Sequence, residues 1–273
     1  MRHIFPVVIW RFLGIITTME QDSAQGKQAI DALVGLGHMR VWSVIITIFG
    51  DAVVGRGGKV AATTLAALTE QMGVKPEAFR VALSRLAKDG WIERSKSGRL
   101  SFYRLSAQGV AEFGPATTRI YAPKAGTEAG WHLVVLPTAA GESSWGDAVS
   151  LGGRCYLSPR PVTDTEALSM TGPIGKVPDW VKDRLGAADI AADYAALLQV
   201  LKQHSGAGVS DLQAAVMRVL LVHQWRRLVL RHADLPPRFF PDDWQGEACR
   251  TEVHRLRAEL APAADSWFNA QII

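Results

Sequence analysis

The spacing of apolar residues between Asp31 and Phe113 alternates between helical and strand periods. Leu65, Leu68 and Met72 stand at i, i+3 and i+7, which predicts a helix with one buried stripe. Gly73-Val74-Lys75 breaks that pattern, and Pro76 suits the first position of a second helix. In the second helix Phe79, Ala82, Leu83 and Leu86 form the apolar stripe. At ~100° per residue, Glu77, Arg80, Ser84 and Lys88 then share the opposite face, with Arg85 on its flank. Two strand-like runs follow, Trp91–Arg94 and Leu100–Leu105, around Ser95-Lys96-Ser97-Gly98, with the turn expected at Ser97-Gly98. Helix, tight turn, helix and hairpin together predict a winged helix-turn-helix. Its second helix would enter the major groove and its hairpin would lie along the backbone.

Beyond this segment the pattern is plainer. The Pro-, Gly- and Thr-rich stretch Gly114–Gly130 reads as a connection, and Trp131–Leu136, closed by Pro137, as a buried strand partnered by Arg154–Leu157. From Ala187 onward the chain reads as helical. Ser210 with Gln213 forms a capping box ahead of a long helix reaching His232. Three prolines between Asp234 and Trp244 end helical structure, and a final helix is expected over Glu247–Leu260. The glycines at 55, 57 and 58 read as a bend after the first helix, and Gln21–Ile30 as a polar link. The fold class expected is α+β and multidomain: an N-terminal arm over 1–30, a winged-helix DNA-binding domain over 31–113, a linker and small α/β domain over 114–186, and a helical C-terminal domain over 187–273. Ile4–Met19 is apolar except for Arg11 and its threonines, and is shorter than the ~20 residues a membrane span requires. A short amphipathic helix, an arm packed on the body, and sequence upstream of the true start are its three readings. The last two are preferred to an anchor, so no membrane partner is expected.

Charge sharpens the picture. The chain carries only +4, but Val54–Arg104 holds ten basic and four acidic residues, leaving the remainder at −2. A basic segment of this kind is the footprint of a nucleic-acid partner, here a double-stranded DNA operator. Arg80, Ser84, Arg85 and Lys88 are the candidates for base and groove contact, and Arg94, Lys96 and Arg99 for phosphates. Trp91, Phe102 and Tyr103 are expected to pack the core, and Glu77 to favour the helix start. With 48% hydrophobic residues the chain has material for real cores. Two distant cysteines, Cys155 and Cys249, fit a reducing cytoplasm, and Cys155 is expected to be buried. No GxSxG, HExxH or phosphate loop is present, so neither enzymatic chemistry nor a cofactor is expected. His223 and His232 read as solvated or core-edge side chains rather than metal ligands. Arg226, Arg227 and Arg231 are able either to hold a phosphate or to pair with Asp242, Asp243 or Glu247, and pairing is preferred. Trp225 and Trp244 line a pocket or pack the C-terminal domain. An acyl-CoA-handling enzyme and a membrane-tethered regulator remain the rival functions.

Several of these strings occur together in a known order. Val44–Asp51 leads into Arg56-Gly57-Gly58; then come Phe79–Leu86, Asp89-Gly90-Trp91 and Tyr103–Ser106, and later Leu235-Pro236-Pro237 and Pro241–Trp244. In this order, over about Met39–Leu260, the chain resembles the PaaX family of bacterial transcriptional repressors. It departs from that family between Leu136 and Arg154, where it is short and rich in Gly, Ser and Ala. The resemblance implies a ferredoxin-like middle domain between the winged helix and the helical C-terminal domain, and a homodimer. It also implies repression of aromatic-acid catabolic genes, typically for phenylacetate, relieved by an acyl-CoA effector such as phenylacetyl-CoA. No effector-binding residue is assigned.

Overall fold

The computed structural model describes residues 24–126, 130–138, 148–163, 166–186 and 188–272. The apolar stretch Ile4–Met19 and most of the N-terminal arm lie outside them. Helix α1 (24–34) occupies part of the expected polar link, because Ala29, Ile30 and Leu33 give it a buried stripe. Helix α2 (Val41–Ile48) is nearly all apolar and continues into a π-helical turn over Phe49–Val53 and a 3₁₀ turn over Val54–Arg56. Gly57 and Gly58, at φ 87° and 75°, then turn the chain out of the helix, as the glycine cluster predicts.

Strand β1 (Val60–Ala61) enters α3 (Ala62–Gln71), and after a turn at Gly73 comes α4 (Pro76–Lys88). Pro76 occupies the start of α4, and Phe79, Ala82, Leu83 and Leu86 are its buried residues, the stripe read from the spacing. Strands β2 (Ile92–Ser97) and β3 (Leu100–Leu105) form an antiparallel hairpin, and β1 completes a sheet of order β1-β3-β2. Ser97 pairs with Leu100, so the turn residues are Gly98 and Arg99, one position later than expected. Gly98, at φ 59°, takes the conformation that such a short turn demands of its first residue.

Helix α5 (Ala107–Tyr121) is the main departure from expectation. Half of the stretch read as a connection is helix, and Pro115 lies inside it. The prolines and glycines are overridden because Phe113, Ala116, Ile120 and Tyr121 all face the core. The Ser106 hydroxyl caps α5 by accepting from the Gly109 amide.

The strands β4 (His132–Val135), β5 (Val149–Gly152), β6 (Cys155–Ser158) and β7 (Leu168–Thr171) form an antiparallel sheet of order β5-β6-β4-β7. The β4–β6 pair is the one read from the sequence. Helix α6 (Asp179–Leu185) packs on this sheet through Val181 and Leu185, against Trp131, Leu157 and Phe239. Cys155 is half-buried rather than buried, since it sits beside the β5–β6 turn.

The C-terminal part holds α7 (Ala188–Gln203), α8 (Asp211–Val229) and α9 (Gly246–Gln271). The capping box of Ser210 and Gln213 is present. Residues 213–225 of α8 are all buried, so this helix forms the axis of the molecule. Its length explains why His223 is wholly buried and not at a core edge. Helix α9 runs eleven residues past the expected end at Leu260, through Pro262, because Ala264 and Phe268 keep its buried stripe in phase. One continuous hydrophobic cluster joins α1–α4, α5 and α7–α9.

Candidate nucleic-acid interface

The residues predicted for DNA are all exposed: Arg80, Ser84, Arg85 and Lys88 on α4, Arg94 and Lys96 on β2, and Arg99 in the hairpin turn. Burial of the Phe79–Leu86 stripe leaves the polar face of α4 outward, so spacing alone places these side chains. On that face Arg80 Nη2 donates to Glu77 Oε1 at 2.9 Å, and Arg85 Nε to Asp89 Oδ2 at 3.4 Å. Both pairs are solvent-exposed and worth only about 0–1 kcal/mol. A phosphate or a guanine edge can therefore displace either carboxylate. Lys88, Lys96 and Arg99 have no hydrogen-bond or ion-pair partner among the described residues.

The hairpin orients its cations by cross-strand contacts. Arg94 donates to Ser101 Oγ, and Arg104 to Glu93 Oε2 at 2.7 Å across the register pair. Phe102 and Tyr103 are buried and Trp91 is half-buried, as core aromatics should be. Lys59 Nζ lies 4.5 Å from the centre of the Phe102 ring, holding a further cation beside the hairpin. Arg56, by contrast, turns inward to Asp265 and Asn269 and is withdrawn from any surface role.

Val81 was not singled out by the pattern. It is 67% exposed, on the same outward face as Arg80 and Ser84. Its signal was an apolar residue out of phase with the Phe79–Leu86 stripe. Apolar side chains on such a face meet the thymine methyl group in the major groove.

The base of this unit is locked to the rest of the molecule. Ser106 Oγ donates to the carbonyl of Gly90, and its amide to that of Trp91 at 3.0 Å, tying α5 to the α4–β2 turn. A Cβ on Gly109 would lie 2.4 Å from the Trp91 oxygen, so only glycine permits this approach. Below, Asp51 is buried and meets Arg218 Nε at 2.7 Å and the Tyr121 hydroxyl at 2.8 Å. Arg218 also reaches Asp265 at 2.6 Å. Burial works against the Arg218 charge, but the two carboxylates outweigh it and raise its pKa. Burial, and then Asp51, raise the Tyr121 pKa too, so its hydroxyl stays protonated as the donor.

Two family models match the chain: one described as PaaX-like protein over residues 40–109, the other as PaaX-like protein C-terminal domain over 186–270. Together they take in more than half of its length. The chain belongs to the PaaX-like family. A curated relative, the transcriptional repressor PaaX of Escherichia coli (strain K12), is 27% identical over 256 residues, covering 81% of each protein. Among solved structures, an uncharacterized protein, Rv0674 from Mycobacterium tuberculosis, matches with a TM-score of 0.51 at 18% identity. That match covers 82% of this chain and 97% of the other, and it speaks for the fold alone. The PaaX-like string Phe49-Gly50-Asp51 acquires a structural meaning from the geometry. Gly50 admits the Phe113 ring, and Asp51 anchors the buried ion network.

The remaining sequence candidates resolve as structural contacts. Arg231 pairs with Asp189 and Asp193, at 2.5 Å each, and not with Asp242, Asp243 or Glu247. Arg226 donates to Ser43 and Arg227 to Gln224. The long α8 points these three arginines toward α2, its own preceding turn and α7, which distance along the chain conceals. Trp225 donates to the Ile120 carbonyl at 2.8 Å, and Trp244 stacks on Phe240. Among the described residues no cluster could hold a metal ion, and no helix is long and apolar enough to cross a membrane.

Proposed function

We propose that the protein is a DNA-binding transcriptional repressor of the PaaX type, acting in the cytoplasm as a homodimer. The observation that carries this reading is the outward basic face of α4, followed directly by a basic hairpin, in a chain of this family. In this reading residues 31–113 form a winged helix-turn-helix. Arg80, Ser84, Arg85 and Lys88 enter the major groove, Val81 meets a thymine methyl, and Arg94, Lys96 and Arg99 hold backbone phosphates. Dimer symmetry then requires two half-sites at helical-turn spacing. Residues 114–186 form the linker and the middle domain, and 187–273 the helical C-terminal domain. The strand order β5-β6-β4-β7 is that of a ferredoxin-like sheet and supports that reading of the middle domain.

The genes controlled are those of aromatic-acid catabolism of the phenylacetate kind, and an acyl-CoA effector releases the operator. Release requires the effector to bind the DNA-free geometry better than the DNA-bound one, since a ligand indifferent to both shifts nothing. The test is fluorescence anisotropy on the protein's own upstream promoter, at two salt concentrations, with and without phenylacetyl-CoA. Salt-sensitive specific binding that the thioester abolishes is expected. Absence of specific binding at both salts removes the repressor reading.

A further inference from the structure

Two polar rungs join α2 to the axis helix α8. His223 Nδ1 lies 3.1 Å from Thr47 Oγ1, and one turn further along α8 Arg226 Nη2 donates to Ser43 Oγ at 3.0 Å. That hydroxyl is the one hydrogen-bond partner of Arg226 among the described residues, and no ion pair accompanies it. Arg226 Nε is buried with no partner at all. Burial lowers the pKa of this guanidinium. An ionised Tyr121 would offset the charge, but its own raised pKa keeps Tyr121 neutral. A buried cation left without a counter-charge is strongly destabilising.

The surroundings add cations and no compensating acid. Arg227 donates Nη1 to Gln224 Oε1, and its guanidinium lies over Gly37, where a Cβ would come within 3.3 Å of Nη2. Arg40 is exposed at the N-cap of α2, with no hydrogen-bond or ion-pair partner for its side chain among the described residues. The Val41 and Trp42 amides that follow are likewise free among those residues. Asp31, on α1, is already engaged with Lys27. His223 lies close enough to Arg226 and Arg227 for both to disfavour its protonation. Its Nε2 is buried and has no partner. The large cleft of about 1030 Å³ beside α5 and the end of α8 is separate, its arginines being Arg119, Arg160, Arg184 and Arg231.

We propose that Arg40, Arg226 and Arg227 form a binding site for a small phosphate-bearing anion, seated between the start of α2 and α8. A tetrahedral dianion supplies what the cluster lacks. It brings a counter-charge to Arg226, several acceptor oxygens to the guanidinium forks, and an acceptor to the two free amides. The site stands independently of the operator and of the acyl-CoA effector. Its occupant ties α2, the first helix of the winged unit, to the axis of the molecule, and so stabilises the folded chain.

The test is calorimetric titration of inorganic phosphate into the full chain, in chloride buffer at constant ionic strength, with thermal unfolding alongside. The wild type should bind phosphate, and its Tm should rise as phosphate replaces chloride. Arg226→Met should abolish both effects, with a Tm in chloride no lower than the wild type's, because an unpaired buried charge has gone. Arg40→Ala, at an exposed position, should weaken phosphate by about tenfold and leave the Tm in chloride unchanged. Glycerol phosphate titrated in parallel identifies the source: tighter binding than phosphate marks a phosphorylated metabolite, equal or weaker binding the free ion. Absence of phosphate binding by the wild type overturns the site, as does equal affinity in the wild type and both variants. Loss of promoter affinity by both variants in chloride also overturns it, since the cations then serve DNA.

Discussion

At the scale of single residues, two kinds of position carry different weight. Arg80 and Lys96 are exposed, so their substitution should leave the fold intact and register only on DNA. Arg80→Ala is expected to lose ~1–3 kcal/mol on the operator and to relax specificity, whereas Lys96→Ala should weaken operator and random DNA alike. Anisotropy titrations on both DNAs separate the two, and equal small losses would remove α4 as the reading helix. Gly50 is the opposite case. A Cβ there would stand 1.8 Å from Phe113 Cζ, an overlap the ring must move to avoid. Gly50→Ala should destabilise by ~1–3 kcal/mol in urea unfolding, with part of the loss restored by Phe113→Ala in the same chain. Nothing in the spacing of residues around Gly50 announces Phe113, which lies sixty-three positions away.

At the scale of elements, the buried pair of Asp51 and Arg218 joins the π-helical turn after α2 to the axis helix α8. Asp51→Asn leaves Arg218 buried with Asp265 alone, and a loss of ~3–5 kcal/mol is expected in denaturant unfolding. Helix α9 offers a change in the other direction. Pro262 is exposed inside it and removes the bond to the Ala258 carbonyl. Pro262→Ala should therefore stabilise the protein, by about 1–3 kcal/mol at most, visible as a rise in Tm. No rise would show that tertiary packing has already absorbed the missing bond. The amphipathic stripes of α3 and α4 and the Ser210 cap were readable because each is satisfied within a few residues. The ends of α5 and α9 were not, because their Pro and Gly residues argue for breaks that only distant packing partners overrule.

At the scale of the whole molecule, acid stability is decided by histidines that the fold has removed from water. Burial, aided by Arg226 and Arg227, pushes His223 down to about 3, and burial pushes His232 down to about 4. Thr47 gives its hydroxyl hydrogen to Ser43, so His223 Nδ1 donates to Thr47. His232 Nδ1 donates to Ala233, and its Nε2 accepts from Tyr194. Both rings are thus held neutral. The unfolded chain takes up these protons near pH 6.5 and the folded one only near 3–4, so stability is complete above that range and falls as pH drops through it. Each group contributes about 1.4 kcal/mol per pH unit within the window. Unfolding midpoints should be level above pH 7 and decline from pH 6 to 4.5, with a shallower decline in His223→Gln. An unchanged profile in that variant would place the acid lability elsewhere.

Local order is what the amino-acid sequence specified unaided: the α3–turn–α4–hairpin string, the outward basic face with Arg80, Ser84, Arg85 and Lys88, and the β4–β6 pair. Periodicity, turn residues and charge act over a few positions, so neighbours in the chain suffice to define them. Tertiary structure decided the rest. It withdrew Arg56 from the basic surface, and it buried His223 on α8. It assembled the Asp51–Arg218–Asp265 network from segments more than 200 residues apart, and it brought four arginines of four segments to one cleft. These are contacts between distant parts of the chain, and burial and partner choice exist only once the helices have packed.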